Sequence, residues 1–263
     1  MAYAERAGRR IHYAVTGNGP QVVLVPGIGS GMKLFGTLPK RFAREGMACT
    51  SFDPVGVEPS SALETETYDF ADAAADLIAV LDAAGIEAAH LVGTSLGGKV
   101  ALAAAAQHQA RVLSLTMLAS SAVLSPRARW VYRFFETVAA RLDGDDFGAA
   151  VAPFLLGRTF HASRPQVVED MVRAIRPTPM RRQLMVAQAR ALQTYRGEEF
   201  ARAWGGRTLC VAGAEDTLTA VAEVRATAAL FAQARLLEIE SAGHSLLLES
   251  AEVFDAVKAF VAG

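Results

Sequence analysis

The 263-residue sequence has two cysteines, Cys49 and Cys210, set far apart in apolar runs. That scarcity and spacing exclude a disulfide framework and a cysteine metal site, and predict two core thiols on strands. No charge of either sign is in excess: Lys and Arg number 26 against 27 Asp and Glu, for a net charge of −1. Without a basic cluster, nucleic acid is not expected as a partner. No apolar run approaches the ~20 residues that span a bilayer, and the alanine-rich 100–106 segment is far too short. The first residues, Met1-Ala2-Tyr3-Ala4-Glu5-Arg6, lack the apolar stretch of a secretory leader. Internal repeats and low-complexity tracts are also missing. The expectation is a soluble, cytoplasmic protein that engages neither membrane nor nucleic acid.

What is present is a chain that is 52% hydrophobic and long enough to bury the core of one large domain. Strand-like runs alternate with helical patterns. Tyr3–Arg6 and Arg10–Val15 read as two strands joined at Gly8, before the turn Gly17-Asn18-Gly19-Pro20. Further strands are predicted at 21–25, 48–52, 88–92, 112–118, 208–212 and 235–239. Asp69 and Asp72 are placed to cap a helix whose apolar positions are Phe70, Ala74, Leu77, Ile78 and Leu81. A later helix should carry Val221, Val224, Ala228 and Phe231 on one face, and the last one Val253, Phe254, Val257 and Phe260. The pattern predicts an α/β fold with a mostly parallel central sheet covered by helices on both faces. From 125 to 204 strand-like runs vanish while arginines and aromatics increase. This block reads as a helical insertion over the strand ends, dividing a core of residues 1–124 and 205–263.

The chemistry centres on Leu91-Val92-Gly93-Thr94-Ser95-Leu96-Gly97-Gly98. An apolar strand ends in Gly-x-Ser-x-Gly and a helical pattern follows at once, which is the setting of a nucleophile elbow. A serine hydroxyl attacks only when a base takes its proton. Of the five histidines, His12, His90 and His108 sit in a strand, at a strand entry and at a helix end. His161 lies in the insertion, where a solvated helix end is its expected place. His244 differs: Ser241-Ala242-Gly243-His244-Ser245 is a small-residue loop just past a strand, able to carry an imidazole over the strand ends. The imidazole needs an acceptor on its other nitrogen. Val211-Ala212-Gly213-Ala214-Glu215-Asp216 puts two acids past another strand, with Asp216 the choice and Glu215 the alternative. The segment Ala119-Ser120-Ser121-Ala122, after the preceding strand, holds no carboxylate. Oxyanion donors are expected from the backbone N–H groups of Leu96, at a helix start, and Ile28, between Gly27 and Gly29.

In the order nucleophile, acid, histidine, each after a strand, Ser95, Asp216 and His244 resemble the α/β-hydrolase fold superfamily over essentially the whole chain. Gly93–Gly98 is similar to its elbow, Val211–Asp216 to its acid loop, Gly243-His244-Ser245 to its histidine loop, and 125–204 to its helical cap. Two motifs depart from the family pattern. Pro26-Gly27 stands where His-Gly is common, and Asp53-Pro54-Val55-Gly56-Val57-Glu58-Pro59-Ser60 lacks the arginine and second glycine of the usual loop. A serine nucleophile separates the chain from the aspartate-using dehalogenase and epoxide-hydrolase branches.

The resemblance implies a serine hydrolase, esterase- or enol-lactonase-like, taking a small ester or lactone without metal or organic cofactor, as a monomer or homodimer. Trp130, Phe134, Phe135, Phe154, Phe160 and Met171 are its candidate pocket residues in the cap. The same triad could cleave a C–C bond or thioester, or close a ring. A ligand receptor on a hydrolase fold is the reading from another class.

Overall fold

The computed structural model describes residues 2–263. The chain runs β1 (Ala2–Arg6), β2 (Arg9–Thr16), β3 (Gln21–Val25), α1 (Leu38–Arg44), β4 (Ala48–Phe52), α2 (Phe70–Ala83), β5 (Ala89–Thr94), α3 (Leu96–Gln107) and β6 (Val112–Leu118). Six helices follow without a strand: α4 (Pro126–Arg141), α5 (Gly144–Leu155), α6 (Arg158–Ser163), α7 (Pro165–Ala174), α8 (Pro179–Gln193) and α9 (Gly197–Ala203). The chain then returns to the sheet through β7 (Thr208–Gly213), α10 (Val221–Ala228), β8 (Ala234–Ile239), α11 (Leu246–Glu249) and α12 (Glu252–Ala262).

All eight strands form one sheet, in the order β1-β2-β4-β3-β5-β6-β7-β8. The β1–β2 and β2–β4 pairs are antiparallel, and every pair from β4 to β8 is parallel. The apolar strands are sorted by their two-residue period. Val23, Val25, Leu91, Cys210 and Ala212 join the core beneath α2, α3 and α10, whereas Val22, Leu24, Val92, Leu209 and Val211 join the core beneath α1 and α12. Burial on both faces explains why these strands read as continuous apolar runs. The alanine-rich sequence of α3 lets nearly the whole helix be buried close to the sheet. Asp69 caps α2 by accepting the Asp72 N–H at 2.8 Å. Asp72 itself joins Asp76 in pairing with Arg6 and Arg9, which fastens the β1–β2 hairpin to α2.

The expected helix through Phe231 is shorter than its apolar spacing suggests. It ends at Ala228, where Leu230 and Phe231 turn tightly onto the Thr227 and Ala228 carbonyls, and Phe231 packs from that turn. Among the described residues no helix is long and apolar enough to cross a membrane. Both cysteines are free and buried, on β4 and β7.

The chain leaves β3 towards β4 on one side and later returns to lay β5 on the other. Connections therefore diverge at the C-terminal ends of β3 and β5, opening the crevice where open α/β sheets place ligands. Pro26–Gly29 and Ser95 both emerge there.

Candidate active site

Ser95 is the single residue between β5 and α3, and its backbone is left-handed, with φ 54° and ψ −122°. A non-glycine residue held there stores roughly 1–3 kcal/mol of strain, which the surrounding packing must offset. Its N–H donates to the Leu118 carbonyl at the end of β6, at 2.8 Å. The flanking glycines permit the bend through close approach. A Cβ on Gly93 would strike the Gly97 carbonyl, and one on Gly97 would strike the carbonyls of Val25 and Pro26. The small-residue pattern is therefore a packing requirement between β5, α3 and the end of β3. Gly27 lies against this bend, with its Cβ position 3.5 Å from the Ser95 Cβ.

The acid loop follows β7 and the histidine loop follows β8. They are laced together by the Ala214 and Glu215 N–H groups, which donate to the Ile239 and Ala242 carbonyls, each at 2.9 Å. His244 Nδ1 and Asp216 Oδ2 stand 2.8 Å apart, and both side chains are buried. Asp216 Oδ1 accepts the Leu218 and Thr219 N–H groups at 2.8 Å each. The carboxylate thus accepts three hydrogen bonds, with Nδ1–H as the donor from the imidazole, and is held in one orientation. This tautomer leaves the Nε2 lone pair free. Asp216 lies in the loop ahead of α10 and not at the helix start itself.

Glu215 takes a different direction. Its carboxylate accepts from Thr159 N at 2.8 Å, Thr159 Oγ1 at 2.7 Å and Arg158 Nε at 3.0 Å, all at the start of α6. Although burial opposes it, these donors hold the Glu215 carboxyl below its ordinary range. The only direct polar contact within the Ser95–His244–Asp216 set, among the described residues, is the one between His244 and Asp216. Such hydrogen bonds to a nucleophile commonly tighten only when substrate binds.

The N–H groups of Ile28 and Leu96 have no acceptor among the described residues. Next to Ile28, the Gly29 N–H donates to Gln188 Oε1 at 2.8 Å, and the Met185 side chain packs against Gly29. The glycine-rich loop is therefore held from above by α8. Gln188 is buried and was missed from the sequence. A signal was available: Leu184, Gln188 and Leu192 form one buried stripe of α8, with a single amide in it. Leu96, Val100, Pro26, Val55, Tyr68 and Gln188 help to enclose a cavity of about 240 Å³ beside the elbow.

None of the six cap candidates lines that cavity. Trp130 is 68% exposed and Phe134 39%, so neither is enclosed, whereas Phe135 is buried. Phe134, Phe135 and Phe154 pack on one another with ring centroids 5.3–5.9 Å apart. Phe160 and Met171 are half-buried, on α6 and α7. A helical pattern gives a residue's face but not what lies opposite it, and these aromatics chiefly pack the helices together.

None of the other histidines is hydrogen-bonded to Ser95 among the described residues. His12 pairs with Asp53 and His90 with Ser114, each at 2.8 Å, and His108 ends α3. His161 does lie in the last turn of α6, but half-buried and not fully solvated as its sequence suggests. Its Nε2 is buried, without a partner among the described residues.

Lys99, one turn after Ser95, is a further buried polar residue. Its Nζ donates to the Ser121 carbonyl and lies 4.7 Å from the Tyr195 ring centroid. Burial pulls this ammonium down to about 8, against the pull of Glu223 and Glu198.

An elbow serine, two unpaired amides and a buried His–Asp pair, all at the ends of parallel strands, define a site typical of one class of fold. Residues 20–251 match the alpha/beta hydrolase fold family, and the chain belongs to it. A RutD protein of Variovorax paradoxus, named for carbamate hydrolysis, is 32% identical over 167 residues, 62% of this chain and 62% of the relative. Part of the polyketide synthase ThaQ of Burkholderia thailandensis is 30% identical over 266 residues, 97% of this chain and 12% of that protein. The chain thus spans less than two thirds of the length of these two relatives. Among solved structures, the enol-lactonase from Burkholderia xenovorans LB400 superposes with a TM-score of 0.87. At 21% identity over 99% of this chain and 100% of that one, the likeness establishes a shared fold.

Proposed function

We propose that the protein is a serine hydrolase of small carboxylic esters or lactones. The observation that carries the reading is the buried His244–Asp216 pair, 2.8 Å apart in loops that follow β7 and β8, taken with Ser95 at the left-handed turn after β5 of the same parallel sheet. In this mechanism Ser95 Oγ attacks the substrate carbonyl carbon while His244 Nε2 takes the hydroxyl proton. Asp216 fixes the reacting tautomer and stabilises the imidazolium. The Ile28 and Leu96 N–H groups receive the oxyanion, and having no internal acceptor they require no rearrangement to do so. Collapse expels the alcohol, which takes the proton from His244 and leaves Ser95 acylated. Water, deprotonated by His244, attacks the acyl carbonyl and releases the acid with Ser95 regenerated.

In this reading residues 125–204 act as a cap over the crevice, in which Phe134, Phe135 and Phe154 pack on one another and Trp130 stands at the surface. A cavity of about 240 Å³ adjoins the elbow at Leu96 and Pro26, and its volume, larger than the ~150 Å³ that holds a benzene, supports a compact substrate. No metal or organic cofactor is required, and two buried free thiols fit a reducing, cytoplasmic setting. A second reading keeps the triad and changes the bond to a thioester, an idea favoured by the match of almost the whole chain to part of a polyketide synthase.

The test is turnover on a panel of short-chain nitrophenyl esters, lactones and acyl thioesters by the wild type, Ser95→Ala and His244→Ala. Ester or lactone turnover that both substitutions abolish is expected. Preference for thioesters would move the assignment to the second reading, and no turnover on any class would move it to a ligand receptor.

A further inference from the structure

The loop that presents His244 is held by a carboxylate that is not part of the triad. Glu249, at the end of α11, accepts the Gly243 N–H on Oε2 at 2.9 Å and the Ser245 N–H on Oε1 at 3.0 Å. These are the N–H groups of the two residues on either side of His244. The Oε2 atom also accepts the Gly157 N–H, at 2.8 Å, just ahead of α6. One carboxylate therefore ties down both shoulders of the histidine and fastens them to the helical block above. The Ser245 N–H is shared, donating to the Leu155 carbonyl at 2.9 Å as well as to Glu249, while the Ser245 carbonyl accepts the Leu248 N–H at 2.8 Å.

We propose that Glu249 is a positioning residue for His244, and that its carboxylate sets where the imidazole stands relative to Ser95. This rests on the assignment of Ser95, His244 and Asp216 above. Asp216 fixes the rotation of the ring through Nδ1 but not the position of the backbone that carries it. Ala242 and Leu246 anchor the ends of the loop in the core, but Gly243 and Ser245 beside His244 bring no bulky side chain to pack, so the placement of the turn between them rests on its amide hydrogen bonds and on the close approach at Gly243. Gly243 is also pressed so closely on Leu156 and Gly157 that a Cβ there would collide with their backbones. A displacement of about 1 Å in a group that must meet a nucleophile is enough to cost on the order of a hundredfold in rate.

Glu215 supplies the control. It too anchors the start of α6, through Thr159 and Arg158, yet it touches neither amide beside His244. If the carboxylates merely fasten the helical block, the two should behave alike. If Glu249 positions the histidine, they should separate.

The experiment measures kcat, KM, Tm and the rate of Ser95 modification by a fluorophosphonate for Glu249→Gln, Glu249→Asp and Glu215→Gln in the full chain. Glutamine keeps the size but offers one acceptor oxygen for donors that need both. Glu249→Gln should lower kcat and the fluorophosphonate rate about thirtyfold, with KM within about twofold. Glu249→Asp, which keeps both acceptors on a shorter stem, should recover part of that loss. Glu215→Gln should leave kcat within about twofold. Should Glu249→Gln not fold, the Glu249→Asp rates against Glu215→Gln decide the matter by the same criterion. A Glu249 series with kcat within about twofold of wild type and only a lower Tm would overturn the proposal, as would equal kcat losses at Glu249 and Glu215. Failure of the underlying assignment looks different: His244→Ala would then retain the wild-type rate.

Discussion

Replacing Lys99 with methionine should stabilise the protein near neutral pH and lose that advantage in alkali. The ammonium is 2% exposed and is pulled by burial from 10.5 to about 8. At about 1.36 kcal/mol for each tenfold step, this gap is worth about 3 kcal/mol against the folded state wherever the amine is charged in both states. Because the folded form releases its proton first, that penalty is fully present below about pH 8. It is relieved as the pH rises towards 10.5, so the wild type gains stability across this window from Lys99. Methionine fills a similar volume without the charge. Against that gain stand the lost hydrogen bond to the Ser121 carbonyl and the contact with Tyr195, together about 1–2 kcal/mol. The net expectation is about 1–2 kcal/mol of added stability near pH 7, or a Tm higher by about 2–4 °C. The assay is thermal and urea unfolding of both proteins from about pH 7 to 10.5. Titrations common to both cancel in the difference, which should shrink and change sign on going to high pH. A difference that does not vary with pH would refute the reasoning.

Four further substitutions, three at contacts in the site and one in open space, have expected outcomes. Asp216→Asn should lower kcat by about 10³–10⁴, as expected when the tautomer is wrong, and steady-state assays on an active ester check it. Gly97→Ala, whose Cβ would meet the Val25 and Pro26 carbonyls, should cost about 3 kcal/mol or more in urea unfolding. Gly205→Ala, with open space around it and no left-handed backbone, should leave the midpoint unchanged. Gln188→Leu leaves the Gly29 N–H without its acceptor; a stability loss of about 1–3 kcal/mol and a kcat lower by about tenfold are expected from unfolding and turnover measurements.

The sheet was legible in the sequence because its strands are buried on both faces, so Val22–Val25 and Leu209–Ala212 read as unbroken apolar runs. The elbow was legible because its glycines answer to backbone contacts that no other residue allows. The His244–Asp216 contact could be anticipated from loops that each follow a strand, since parallel strands send their loops to the same edge. Gln188 was not found, because its partner is the backbone amide of a remote segment; Glu249 lies close in sequence to Gly243 and Ser245, but a carboxylate accepting from backbone amides has no residue pattern that marks it. Trp130 shows the same limit from the other side. An aromatic in an amphipathic helix suggests burial, but Trp130 stands at the surface beside Arg133.

The central claim is that Ser95 is the nucleophile of a working triad, and covalent modification tests it most directly. Wild-type protein treated with a fluorophosphonate is analysed by intact mass, with peptide mapping and with Ser95→Ala and His244→Ala in parallel. One adduct on Ser95 in the wild type, none in Ser95→Ala and a greatly slowed reaction in His244→Ala is the predicted result. An unmodified wild type, or equal labelling of Ser95→Ala, would contradict it.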